Sequence, residues 1–154
     1  MTDERPLGLE DLRAVAIELA PELAELRTVA IGWGTVDIDA VVKALEAGGE
    51  PATFEPAPRD GHLGARAVVH RPAETTGEPL QVLLEPDTEA RLAATLARHG
   101  EGFVAIWFSA AGLSGIPRGL EERLRASVEG PLGWERPLAG PVTGPHVLVL
   151  AGEP

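Results

Sequence analysis

Four histidines and no cysteine set the chemistry open to this chain. Thiolate nucleophiles, iron–sulfur clusters, cysteine-held zinc and disulfides are excluded. His62 stands in Arg59-Asp60-Gly61-His62, a loop ahead of a strand, where an imidazole can serve as a general acid or base. His70 and His146 fall at a strand end and a strand start. If they face a cavity, each can polarise a carbonyl or move a proton near neutral pH. Glu85 ends a strand; over an apolar pocket its pKa would rise and it would serve as a base. The alternative is a helix-flanking glutamate beside Pro86. These four, His62, His70, Glu85 and His146, are the catalytic candidates. Arg66, between Ala65 and Ala67, either binds a carboxylate or enolate oxygen or points outward. His99 reads as a helix-end residue and Glu101 as a turn residue. There is no Ser-His-Asp order, Walker A loop or dinucleotide fingerprint. Gly112-Leu113-Ser114-Gly115 lacks the flanks of a nucleophile elbow, and Gly32-Trp33-Gly34 is a bulge or turn rather than a phosphate loop.

The bulk composition narrows the setting. The chain has 154 residues, enough for one domain or two small fused repeats around one core, and 44% of them are hydrophobic. No apolar run reaches the roughly 18 residues of a membrane span. The start, MTDERPLGLEDL, has no basic region followed by an apolar one, so a cytoplasmic protein is expected. The net charge of −11 argues against nucleic acid as a partner, since a phosphate backbone needs a basic stripe. Lys43 is the single lysine.

The elements that must position these residues follow from periodicity. Residues 9–25 show helical spacing, ended or kinked by Pro21. Residues 27–33 read as a strand, and an aspartate among 36–39 caps a helix over 39–47. Residues 50–62 read as a loop or a short strand near 53–55. Strands are expected at 64–70 and 80–85. Pro86-Asp87-Thr88 opens a helix over 88–98, closed by Gly100. Residues 103–108, FVAIWF, are the most hydrophobic strand. A helix at 118–128 turns Leu120, Leu124 and Val128 inward, 132–143 reads as an irregular strand or hairpin, and 146–150 as the last strand. Two weak βαβββ repeats fit this order better than an alternating βα sheet.

At that point a resemblance becomes specific. Arg27-Thr28-Val29-Ala30-Ile31-Gly32-Trp33, then Asp37 and a helix, resembles the opening strand of each half of the vicinal oxygen chelate superfamily (glyoxalase I, bleomycin-resistance proteins, methylmalonyl-CoA epimerase). Leu83-Leu84-Glu85-Pro86, a helix, and Gly100-Glu101-Gly102-Phe103-Val104-Ala105-Ile106-Trp107-Phe108 are similar to the joint between halves in its epimerase-like members. The resemblance implies an α+β fold: two βαβββ modules, about 26–86 and 102–150, joined by a helix at 87–100 into a cupped mixed sheet. Residues 1–25 add an N-terminal helix. It also implies a homodimer.

The superfamily's metal positions fall on Thr28, Ala105, Val82 (or Gln81) and Val147 (or Leu148). A divalent metal needs several N or O donors at about 2.0–2.2 Å, so no metal and no other cofactor is expected. By the resemblance, Thr28, Ala30, Gly32, Ala105, Trp107 and Ser109 line the cup. Small residues opposite a tryptophan suggest an apolar slot where an indole stacks on a ligand. Thr28, Ala30, Arg66, Gln81, Ala105, Trp107 and Ser109 are the ligand-binding candidates. The expected function is metal-free binding of a small aromatic or conjugated molecule, of the resistance or sequestration type. The alternative is a metal-independent isomerase, cyclase or lyase acting on a carbonyl compound through histidine or glutamate. A residual metal enzyme using His62, His70 and Glu85, or a filled cup serving as an interaction module, completes the range.

Overall fold

A computed structural model describes residues 9–49, 52–72, 79–110, 115–140 and 144–151. Helix α1 (Leu9–Leu19) stops before Pro21, which has no N–H to continue it, and a 3₁₀ turn follows (Pro21–Glu25). Strand β1 (Arg27–Gly34) leads to α2 (Ile38–Ala47), whose N-cap Asp37 accepts from the Ala40 N–H at 3.1 Å. Strands β2 (Ala52–Asp60), β3 (Ala65–Pro72) and β4 (Leu80–Pro86) complete the first module. Helix α3 (Arg91–His99) is the connector. Strand β5 (Gly102–Ser109), the single turn α4 (Arg118–Glu121), β6 (Val128–Gly130), β7 (Gly133–Pro137) and β8 (His146–Leu150) form the second module.

All eight strands share one mixed sheet in the order β2-β3-β4-β1-β5-β8-β7-β6. β1 runs parallel to β4 and β5 parallel to β8, while β1 and β5 join antiparallel. The modules are thus related by an approximate two-fold axis between β1 and β5, and the expected α+β cupped sheet is the observed one. The sheet curls until its outer edges meet: the Gly61 N–H at the end of β2 donates to the Glu129 carbonyl of β6 at 3.0 Å.

Each face of the sheet has its own apolar cluster. The inner face carries Ala30, Ala67, Val82, Leu84, Trp107 and Leu148, with Leu63 and with Leu92 and Leu96 of α3. Outside the first module, α2 places Ile38 against Val68 and Leu83. Outside the second, α1 and the 3₁₀ turn place Leu12, Ala16, Ala20 and Leu23 against Ile106, Phe108 and Val149. The N-terminal segment thus covers the area that a single-turn α4 cannot.

Three elements differ from the sequence expectation. β2 is a nine-residue strand despite Pro56 and Pro58, because it lies at the sheet edge, where a missing N–H is tolerated. α3 begins at Arg91, not 88: the Leu92 N–H donates to the Leu63 carbonyl at 3.0 Å, and the Asp87 carboxylate is taken by Arg59 instead of capping the helix. The helix expected at 118–128 lasts one turn. Leu124 then bridges to Leu138, and the Arg125 N–H donates to the Pro137 carbonyl at 2.8 Å, which draws the chain into the sheet. Leu120 and Leu124 do point inward. The Gly112–Ser114 part of the rejected elbow lies outside the described residues.

Candidate functional site

The turn after β2 is built to present His62. Asp60 is buried, and its Oδ1 accepts from the His62 and Leu63 N–H groups at 3.0 and 2.8 Å, an Asx-type turn. The Gly64 N–H closes it onto the Asp60 carbonyl at 2.9 Å. Gly64 has φ +69°, and a Cβ there would lie 2.3 Å from the Thr88 hydroxyl, so glycine alone suits the position.

His146 meets His62 from the opposite module. Their ring centroids are 6.3 Å apart and nearly perpendicular. His146 is buried at the start of β8, with Nε2 2.7 Å from Thr95 Oγ1 of α3. The Thr95 hydroxyl donates to the Arg91 carbonyl one turn back (3.0 Å), so its oxygen accepts from Nε2–H and leaves Nδ1 as the basic nitrogen. Burial, then the nearby Arg91 guanidinium, lowers both imidazoles from 6.5 to about 4. Both are neutral at pH 7. They line a small cleft, partly open to solvent, with Arg91, Arg125, Leu138, Gly140 and Pro145.

Behind the turn lies a carboxyl pair. Glu135 of β7 is fully buried, and its Oε1 accepts from the Trp107 indole N–H at 2.9 Å. Burial and the neighbouring Asp60 push its pKa up to about 10, and burial also raises Asp60. Asp60 Oδ2 and Glu135 Oε2 are both buried without an ordinary donor. A single proton held between the two carboxyls satisfies both oxygens and joins the end of β2 to β7. Gly130 makes room for this: a Cβ there would lie 2.0 Å from Glu135 Oε1.

The sequence candidates divide between two faces. His62 and His146 converge. His70, Gln81, Glu85 and Arg66 lie on the outer face, because Ala65, Ala67, Val69, Val82 and Leu84 take the inner positions of β3 and β4. His70 stacks on Phe54 at 4.9 Å and its Nδ1 is 3.3 Å from Gln81 Oε1. Glu85 caps α2, its Oε1 accepting from the Ile38 N–H at 3.0 Å, and its Oε2 accepts from Arg66 at 2.8 Å. The hydrogen bond from Arg66 lowers the Glu85 pKa, the reverse of a base raised over an apolar pocket.

A bulge in β1 separates Thr28 from Ala30. The register passes from Thr28↔Phe108 to Ala30↔Trp107. Thr28 therefore faces α1, where its Oγ1 accepts from Arg13 at 2.7 Å, while Ala30 stays inside. Ala105 and Trp107 are inside and fully buried; half-buried Ser109 pairs with Arg27 and Leu150 at the strand end. The slot expected beside Trp107 is taken by the indole itself: a Cβ on Gly32 would lie 2.9 Å from Trp107 Cζ3 and from Leu84 Cδ1. Small residues face the tryptophan to admit its own ring.

The metal positions implied by the resemblance do not suit a metal. Val82, Ala105 and Leu148 are inside but offer no donor, and Thr28 is bound to Arg13 outside. Among the described residues no three His, Asp or Glu side chains converge as ligands. Asp60, Thr95 and Glu135 were missed by the sequence reading. The Asp-Gly-His turn was the available signal for Asp60; Glu135 gave none, because its strand read as irregular.

This architecture, two βαβββ modules in one cupped sheet, is the vicinal oxygen chelate fold. Among solved structures the chain is similar to methylmalonyl-CoA epimerases. The enzyme from Mycobacterium tuberculosis superposes with a TM-score of 0.65 and 14% identity, over 82% of this chain and 88% of that one. The Streptomyces coelicolor enzyme, in complex with 2-nitronate-propionyl-CoA, gives 0.60 and 22%, over 80% and 94%. A hypothetical protein from Bacillus halodurans gives 0.55 and 17%, over 84% and 97%. No family model matches the chain, and no curated protein matches it. No described helix is long and apolar enough to cross a membrane.

Proposed function

We propose that this protein binds a small molecule, without a metal, at the cleft between His62 and His146. The observation that carries this reading is the convergence of two neutral imidazoles, one from each module, in a polar cleft beside a filled interior. An imidazole that stays neutral at pH 7 offers one donor and one acceptor and suits recognition of a polar group. Sequestration is the form of the reading in which the bound molecule leaves unchanged.

A second reading, a metal-independent isomerase, is favoured by the same geometry, since facing imidazoles can take a proton from one site of a carbonyl compound and return it at another. A solved epimerase of this fold holds methylmalonyl-CoA, which supports the same class of chemistry. The test is a panel of small uncharged and anionic molecules followed through the histidine ring resonances. Saturable one-to-one shifts of His62 and His146, weakened in H62Q and H146Q, are expected. A panel that moves neither ring overturns the binding reading. For the isomerase reading, bound carbonyl compounds are incubated in D₂O. Loss of the α-hydrogen that depends on both histidines supports turnover; no exchange removes it.

A further inference from the structure

We infer that the molecule bound in this cleft carries a small oxyanion, a carboxylate or phosphate group, held between Arg91 and Arg125; the inference rests on the reading of the cleft as the ligand site. The chain is strongly acidic, with 24 Asp and Glu against 13 Lys and Arg. In such a chain arginines readily find carboxylates, as Arg59 does with Asp87 and Arg66 with Glu85. Arg91 and Arg125 depart from this. Both line the cleft, and among the described residues neither pairs with a carboxylate. Arg91 NH1 donates to the His62 carbonyl at 3.4 Å, a long hydrogen bond, and its other N–H groups have no acceptor among the described residues.

The surroundings keep the positive field uncancelled. Asp60 and Glu135 are the carboxyl groups behind the His62 turn. Asp60 turns one oxygen to the N–H groups of its own turn, Glu135 turns one to Trp107, and a proton between them removes one of the two charges. Both cationic side chains act on His62, where their charge helps keep the ring neutral. An anion entering the cleft meets two guanidinium groups, whose planar N–H forks match carboxylate and phosphate oxygens. It also meets two uncharged imidazoles able to bond the remainder of the molecule.

The test titrates the full-length protein with succinate and with inorganic phosphate at constant ionic strength, read by the histidine ring and arginine Nε resonances. Saturable shifts at His62, His146, Arg91 and Arg125 are expected, with binding about tenfold weaker or worse in R91Q and in R125Q. Arg125 is exposed, so R125Q keeps the test valid if R91Q disturbs the turn. Saturation by succinate alone, phosphate alone or both supports the inference and names the group. No saturable binding of either anion, or binding unchanged in both variants, overturns it. If uncharged molecules bind while both anions fail, this inference falls and the cleft reading stands; if nothing binds, both fall.

Discussion

Glu135 carries a proton that the unfolded chain does not hold at neutral pH. Its folded value is about 10 against an ordinary 4.5, so between those values the folded state binds more protons and stability falls as pH rises. Asp60 acts in the same direction. His62 and His146 act oppositely: each falls from 6.5 to about 4, so stability rises from about pH 4 to 6.5 and is level above. Two rising contributions against the carboxyl pair place the maximum near neutrality, with a declining alkaline limb. Glu135→Gln, whose amide can still accept from Trp107 and donate to Asp60, is expected to flatten that limb in urea unfolding curves taken from pH 6 to 10. An unchanged limb would show that the shared proton is not its source. Thr95→Val leaves the His146 Nε2–H buried without an acceptor and is expected to cost about 1–3 kcal/mol in the same measurement. Gly32→Ala forces a methyl toward Trp107 and Leu84, at a cost of about 1–3 kcal/mol.

At the scale of elements, the two modules do not bury their outer faces alike. The first uses its own α2, and the second borrows α1. Leu12 is fully buried in that contact. Leu12→Ala is expected to destabilise the protein by about 2–5 kcal/mol, measured by thermal or urea unfolding, despite its place outside both modules. A loss under about 1 kcal/mol would mean that α1 is dispensable packing. Periodicity revealed α1, α2, β1, β3, β4, β5 and β8, because in each the burial pattern agrees with the local propensity. It failed where a distant segment decided the outcome. β2 keeps its prolines only because it is an edge, and residues after Glu121 leave the helix because Leu138 and Pro137 supply strand partners.

The whole sheet is completed by one chain, with β1 and β5 joining the modules at the centre and Gly61 meeting Glu129 at the rim. A homodimer, expected from the resemblance, would therefore associate through outer surfaces and not by exchanging modules. The folded state is expected to persist on hundredfold dilution without denaturant, read by far-UV circular dichroism; loss of the folded signal on dilution would tie folding to assembly. The curl of the sheet also explains why the cleft lies where it does. It brings the turn after β2 beside the start of β8, so that residues 84 positions apart in the chain, His62 and His146, face each other.

The sequence by itself determined the class of fold, the joint around Leu83–Pro86, and the lack of metal-donor side chains at the positions the resemblance implied, since all of these are local in the chain. Tertiary structure alone decided which histidines meet, that Glu85 and Arg66 lock each other on the outer face, and that Trp107 fills the space expected for a ligand. The reason is that a strand shows only an alternation. Which of its two faces turns inward, and where a bulge such as that at Val29 resets the count, depends on partners that lie far along the chain.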